Sequence, residues 1–91
     1  MQIAIVEAER AAEIGEVPIG ACIVDENGEL LASGHNLTIS TNDPTAHAEI
    51  VAIRTAAKRI ENYRLTGATI FSTIEPCAMC AGALVTARVK R

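Results

Sequence analysis

The sequence predicts an α/β domain in the order αββαβα, built on a three-stranded mixed sheet, and three observations carry that reading. Apolar residues recur at helical spacing in two Ala-rich segments. Short β-branched runs flank a D-E-N-G turn. Prolines at 44 and 76 stand where helices are expected to open. Ninety-one residues, about half of them apolar, suffice for one core and hence one domain, residues 1–91.

The first helix is expected from Ile3 to about Ile14, with Ile3, Val6 and Ile14 as its apolar face and Gly15 as its stop. I19-G-A-C-I-V-D reads as a short buried strand and D25-E-N-G28 as a hairpin turn, with a second strand from about Glu29 to His35. Polar loop fills Asn36 to Asn42. Asp43 is then expected to cap a second helix with Pro44 at its first position, and Ala46, Ile50, Ile53, Ala57 and Ile60 form one apolar stripe. A68-T-I-F-S-T-I74 is a β-branched strand, expected parallel to its neighbour after the helical crossover, and Pro76 opens a third helix running to about Ala87.

Charge is divided along the chain. Residues 1–50 hold nine acids and one base, and residues 51–91 hold two acids and seven bases. Arg54, Lys58, Arg59 and Arg64 gather near the end of the second helix, and Arg88, Lys90 and Arg91 near the C-terminus. Such a patch could meet phosphates, but a solvated helix face with favourable cations at helix C-termini is the preferred reading. Aromatic residues for base stacking are confined to Tyr63 and Phe71. The longest apolar run, Cys77 to Val85, is nine residues, against the ~18 needed to span a bilayer. No basic leader precedes the apolar residues of M-Q-I-A-I-V-E, and the three cysteines do not form a disulfide framework, so a cytoplasmic location is expected.

Two motifs carry chemistry: T-A-H-A-E, with His47 and Glu49, and E-P-C-A-M-C, with Cys77 and Cys80. One imidazole and two thiolates suit Zn²⁺, and three protein ligands leave a tetrahedral site open, which separates a hydrolytic zinc from a structural one. Cys77 and Cys80 share a helical face, and a helix N-terminus is expected to lower both thiol pKa values. His47 and Glu49 would lie about 200° apart on a helix, so only at a helix tip could both address one water. Taken alone, a C-x-x-C is also a redox pair or half a zinc ribbon. A second C-x-x-C is missing, as is the H-E-x-x-H of zinc proteases. Cys22 reads as a buried structural thiol and His35 as strand-end polar surface.

With these motifs placed, the chain resembles the cytidine/deoxycytidylate deaminase superfamily, and within it the bacterial tRNA adenosine deaminases. The resemblance runs through G15-E-V-P-I-G-A21, H35-N36, N42-D-P-T-A-H-A-E-I50, N62-Y-R-L-T-G67 and T73-I-E-P-C-A-M-C-A-G-A83. It implies a three-layer cytidine-deaminase-like fold and one Zn²⁺ per chain on His47, Cys77 and Cys80. It also implies hydrolytic conversion of adenosine to inosine at a tRNA wobble position, with Glu49 as proton shuttle rather than ligand. Asn36 would hydrogen-bond the nucleoside, the backbone near Ala48 would read the base edge, and Val17 and Pro18 would wall the pocket. The expected partners are a tRNA anticodon loop or other single-stranded nucleic acid, and a second copy in a homodimer. Members of the family continue with further strands and helices where this sequence reads V89-K-R91, so residues 1–91 correspond to the core portion. The alternatives are a guanine or other free-base deaminase, since N-D-P-T-A-H-A-E also resembles that branch, and a catalytically silent zinc-stabilised fragment.

Overall fold

A computed structural model describes residues 2–62 and 64–89. Tyr63, Lys90 and Arg91, which entered the reading of stacking and charge, lie outside the described residues. The element order is α1 (Gln2–Glu13), β1 (Gly20–Val24), β2 (Leu30–His35), α2 (Ala48–Ile60), β3 (Thr69–Ser72) and α3 (Ala78–Thr86), the αββαβα order expected.

The sheet runs β2-β1-β3, and both pairs are antiparallel, from Gly20↔His35 to Val24↔Leu30 and from Ala21↔Ser72 to Val24↔Thr69. The expectation of a mixed sheet, with β3 parallel to the strand beside it, is therefore corrected. The crossover through α2 does join two parallel strands, β2 and β3, but it steps over β1, which lies between them and runs the other way. The consequence is geometric. β2 and β3 end at the same edge of the sheet, beside the start of β1, where the Asn36 N–H donates to the Ile19 carbonyl (3.1 Å) and the Thr73 N–H to the Gly20 carbonyl (3.0 Å). The segments leading into α2 and α3 leave from that shared edge.

Helices cover both faces, giving three layers. Ala21 and Ile23 of β1 and Ala32 of β2 form one core with Ala48, Ala52 and Ala56 of α2. On the other face, Gly20 lies under Ala4, Glu7 and Ala8 of α1, and Ser33 and His35 both bond Glu7. Helix α1 buries an alanine row in place of its expected apolar face, whereas α2 buries Ala48, Ala52 and Ala56 alongside most of its expected stripe, with Ile53 and Ala57 packed against the core. Ala4, Ala8 and Ala11 are buried in α1 while Ile3, Val6 and Ile14 are exposed; in α2 Ile60 is exposed, although Ala46 and Ile50 of the expected stripe are buried. The reason is close approach. A Cβ on Gly34 would stand 2.9 Å from Val51 Cγ1 and 3.0 Å from Ala52 N, so α2 rests almost on the strand backbone, where only small side chains fit.

Two helix starts also differ from expectation. Asp43 does not cap α2. Its Oδ1 accepts from the N–H and hydroxyl of Thr45 (2.9 and 2.6 Å), forming a turn that includes Pro44, and α2 begins four residues later with His47 as its N-cap. Likewise α3 begins at Ala78 with Cys77 as N-cap, one residue beyond Pro76. The α1 stop is as expected. Gly15 at φ 80° lets the Gly15 and Glu16 N–H groups return to the Ala12 and Ala11 carbonyls at 3.2 and 2.9 Å.

Candidate metal centre and cleft

The residues of the two motifs meet at the shared sheet edge. The Leu37 N–H donates to the Ala46 carbonyl (2.9 Å), tying the chain after β2 to the approach to α2 and so fixing His47. His47 has extended backbone (φ −69°, ψ 154°), as does Cys77 (φ −72°, ψ 177°), so both sit at helix tips with side chains turned past the first N–H groups. Because His47 lies outside the helix, the 200° separation from Glu49 expected of a regular helix does not apply.

His47 Nδ1 stands 3.6 Å from Cys77 Sγ and 3.5 Å from Cys80 Sγ. One ligand atom from each of the three residues lies within 4.8 Å of the others. Tetrahedral zinc with ordinary Zn–N and Zn–S bonds places nitrogen and sulfur about 3.6 Å apart, so the donor set and its spacing fit that ion. Among the described residues no other group of three His, Cys, Asp or Glu side chains converges in this way.

The two thiols differ, which corrects the expectation that both are acidified. The backbone N–H of Cys80 faces the Cys77 sulfur and, with the Cys80 side chain, lowers the Cys77 pKa. Burial pushes Cys80 up to about 12, reinforced by Cys77 and by the Glu49 charge. A bound cation reverses that balance, because a thiol on zinc is deprotonated outright.

Glu49 is the second residue of α2 and only 3% exposed. It lines a cleft of about 250 Å³ with Val17, Ile19, Asn36, Thr38, His47, Ile74, Glu75 and Cys77. It also borders a larger hollow of about 530 Å³ between β3 and α3, walled by Ile70, Ser72 and Leu84 among others. Asn36, Val17, His47, Cys77 and Glu49 are thus brought together as expected. Pro18 is exposed and does not line the cleft, and the Ala48 side chain is buried in the core. Ala48 is the first residue of α2, so its N–H has no partner within the helix and remains a donor at the tip.

Ile74, Glu75 and Thr38 line the cleft without having been singled out in the sequence. Glu75 is the first residue of E-P-C-A-M-C and Ile74 adjoins it, which was the available signal for both; nothing local marks Thr38. His35 is no ligand: its Nδ1 bonds Glu7 Oε1 at 2.6 Å. Cys22 is buried and unpaired, as expected, and burial raises its pKa.

This architecture and donor set match a known family. The sequence profile of the cytidine and deoxycytidylate deaminase zinc-binding region matches residues 1–91, and the chain belongs to that family. It is 50% identical over 91 residues to a tRNA-specific adenosine deaminase of Haemophilus influenzae and to one of Bacillus subtilis. It covers 53% and 56% of those proteins, so it spans about half the length of the curated relatives it matches. Among solved structures it superposes on a tRNA:A34 deaminase acting at the wobble position (TM-score 0.94, 48% identity), covering 98% of this chain and 68% of that one. It also superposes on guanine deaminase from Bacillus subtilis (TM-score 0.92, 41% identity), covering 98% and 57%.

Proposed function

We propose that the chain is the core of a zinc-dependent hydrolase that deaminates adenosine to inosine, with a tRNA anticodon loop as substrate. The observation that carries this reading is the His47, Cys77 and Cys80 donor set with Glu49 buried at its edge in a cleft. His47 Nδ1 and the sulfurs of Cys77 and Cys80 would hold the zinc, which would supply Lewis-acid activation of water. Glu49 does the proton work: it takes one proton from the attacking water and passes it to ring N1 as the O–C6 bond forms, then carries the second proton of that same oxygen to the amine as the C6–N bond breaks. Adenosine and water become inosine and ammonia. The Ala48 N–H, at the positive end of α2, donates to the base edge, and Asn36 and Val17, from two segments that line the cleft, hold the nucleoside.

An anticodon loop brings phosphates as well as a base. Arg54 is engaged with Asp43 (3.5 Å) and Arg59 with the Leu30 and Leu31 carbonyls (2.8 and 3.0 Å), so exposed Lys58 is the member of that patch most free to meet a phosphate. A homodimer in the reducing cytoplasm suits the exposed apolar side chains and the cysteine ligands. No helix among the described residues is long and apolar enough to cross a membrane.

The test is zinc content together with inosine formation on a short anticodon stem-loop, with guanine offered in parallel. Zinc near one per chain and Glu49-dependent inosine support the reading. Release of ammonia from guanine instead would favour the free-base branch, to which the guanine deaminase likeness also points. Zinc with neither product would leave a metal-stabilised core without activity of its own.

A further inference from the structure

Glu16 is a buried carboxylate, 4% exposed, that the chemistry above does not use. Its position follows from the end of α1, where Gly15 turns the chain and the Glu16 N–H caps the Ala11 carbonyl. From there the side chain reaches the loop that follows β2. Oε2 accepts from the Ser40 N–H (2.6 Å) and hydroxyl (2.7 Å), and Oε1 from the Ile39 N–H (3.2 Å) and Asn36 Nδ2 (3.5 Å). Burial disfavours the charge, but Ser40, Ile39 and Asn36 together outweigh it and hold the Glu16 pKa below the ordinary value.

One carboxylate therefore clamps two walls of the cleft. On its own strand of chain it immediately precedes Val17; from there it also holds the Asn36 segment, and Val17 and Asn36 both line the cleft. Asn36 Nδ2 is shared between Glu16 Oε1 and Thr38 Oγ1 (3.2 Å), which turns the amide so that Oδ1 is the atom left for a ligand. Oδ1 can only accept, so the ligand group it takes is a donor such as a sugar hydroxyl.

We propose that Glu16 is a positioning residue for nucleoside binding, acting through Asn36 by fixing both the loop 36–40 and the orientation of the Asn36 amide. The inference rests on the deaminase reading. Misplacing a binding group by an ångström is costly even when no direct bond to ligand is deleted.

The experiment uses the zinc-loaded chain, with purine riboside as probe and amide hydrogen exchange as a second readout. Glu16→Gln keeps the shape but replaces one acceptor oxygen with a donor amide. The expected result is unchanged zinc content, faster exchange at Ile39 and Ser40, and a Kd raised by about tenfold. In the Glu16→Gln/Asn36→Ala double variant, Kd should be no weaker than in Asn36→Ala alone, because the two residues act as one. Should Glu16→Gln fail to fold, Ser40→Ala removes one donor to the clamp and is expected to shift Kd and exchange in the same direction by less. Glu7→Gln, which removes a buried carboxylate outside the cleft, should lower stability and leave Kd unchanged.

An unchanged Kd in Glu16→Gln despite a loosened loop overturns the proposal, as do additive effects in the double variant. If the wild-type zinc-loaded chain itself neither binds purine riboside nor forms inosine, the deaminase reading is overturned. That failure is visible before any variant is made, and the inference falls with it.

Discussion

At the scale of single residues, the proposed function separates a side chain that would move protons from those that would hold an ion. Glu49 lies next to the donor set but is not needed to complete it, so Glu49→Gln should retain zinc and fold while turnover falls by about 10²-fold or more. Zinc analysis alongside single-turnover inosine formation checks this; loss of zinc would make Glu49 a ligand. A different carboxylate governs acid stability. Burial disfavours charge on Glu7, but the Ser33 hydroxyl (2.6 Å), the His35 ring (2.6 Å) and Arg10 (3.6 Å) prevail, and its pKa falls below the ordinary 4.5. A lowered folded pKa stabilises the protein above the unfolded value and ceases to do so as pH drops through the folded one. Glu7→Gln should accordingly cost about 2 kcal/mol near neutral pH and flatten the acid limb of urea-unfolding stability below about pH 4.5. Residue chemistry was largely legible: His47, Glu49, Cys77 and Cys80 stand out because few residue types bind zinc at that spacing. The unequal thiols were not legible, because burial of Cys80 is a property of the packed helix and not of C-A-M-C.

Secondary-structure elements behave differently, since their existence was readable and their faces only in part: the expected α2 stripe is buried or half-buried apart from Ile60, and the expected α1 face is exposed. Both helices present Ala rows to strands, and what selects the row is a glycine beneath each. A Cβ on Gly20 would fall onto the Ala4 carbonyl oxygen and lie 2.5 Å from Ala8 N, whereas one on Gly34 meets chiefly the Val51 side chain. Backbone yields less readily than a rotamer. Gly34→Ala is therefore expected to cost about 1–3 kcal/mol and Gly20→Ala clearly more, by urea denaturation monitored by circular dichroism. Equal costs would mean that α1 can lift from the sheet as readily as Val51 can turn. The apolar periodicity misled in α1, and at Ile60 of α2, because spacing reports which side chains could be buried, and helix-to-strand distance decides which are. The helix starts were misplaced for a related reason: the Asp43 side chain bonds Thr45 before a helix can form, and His47 and Cys77 stay extended to reach one another.

Over the whole molecule, the donor set with an ion bound would be a staple between helices that otherwise share little surface. Cys80 and Ala87 are the buried residues of the α3 region, while Ile74, Met79 and Val85 are exposed, Val85 by 75%. His47 precedes α2 and Cys77 precedes α3, so an ion between them joins crossover helix to final helix. Structural zinc contributes on the order of 10–16 kcal/mol, as much as a domain's ~5–15 kcal/mol net stability. Chelation should abolish most helical circular dichroism, with α3 amides losing exchange protection first; an unchanged spectrum after metal removal would refute the staple. For nucleic acid, Lys58→Glu should weaken anticodon stem-loop binding and reduce the slope of log K against log salt by about one for each phosphate no longer neutralised. No change would make the patch a solvated helix face. The sequence by itself determined the element order, the donor set and the family resemblance, because these depend on residue identity and short-range spacing. The tertiary structure alone decided that β1 separates β2 from β3 and that Glu16 reaches the Asn36 loop. Strand order is settled by which faces can pack closely, and that is a contest among residues far apart in the chain.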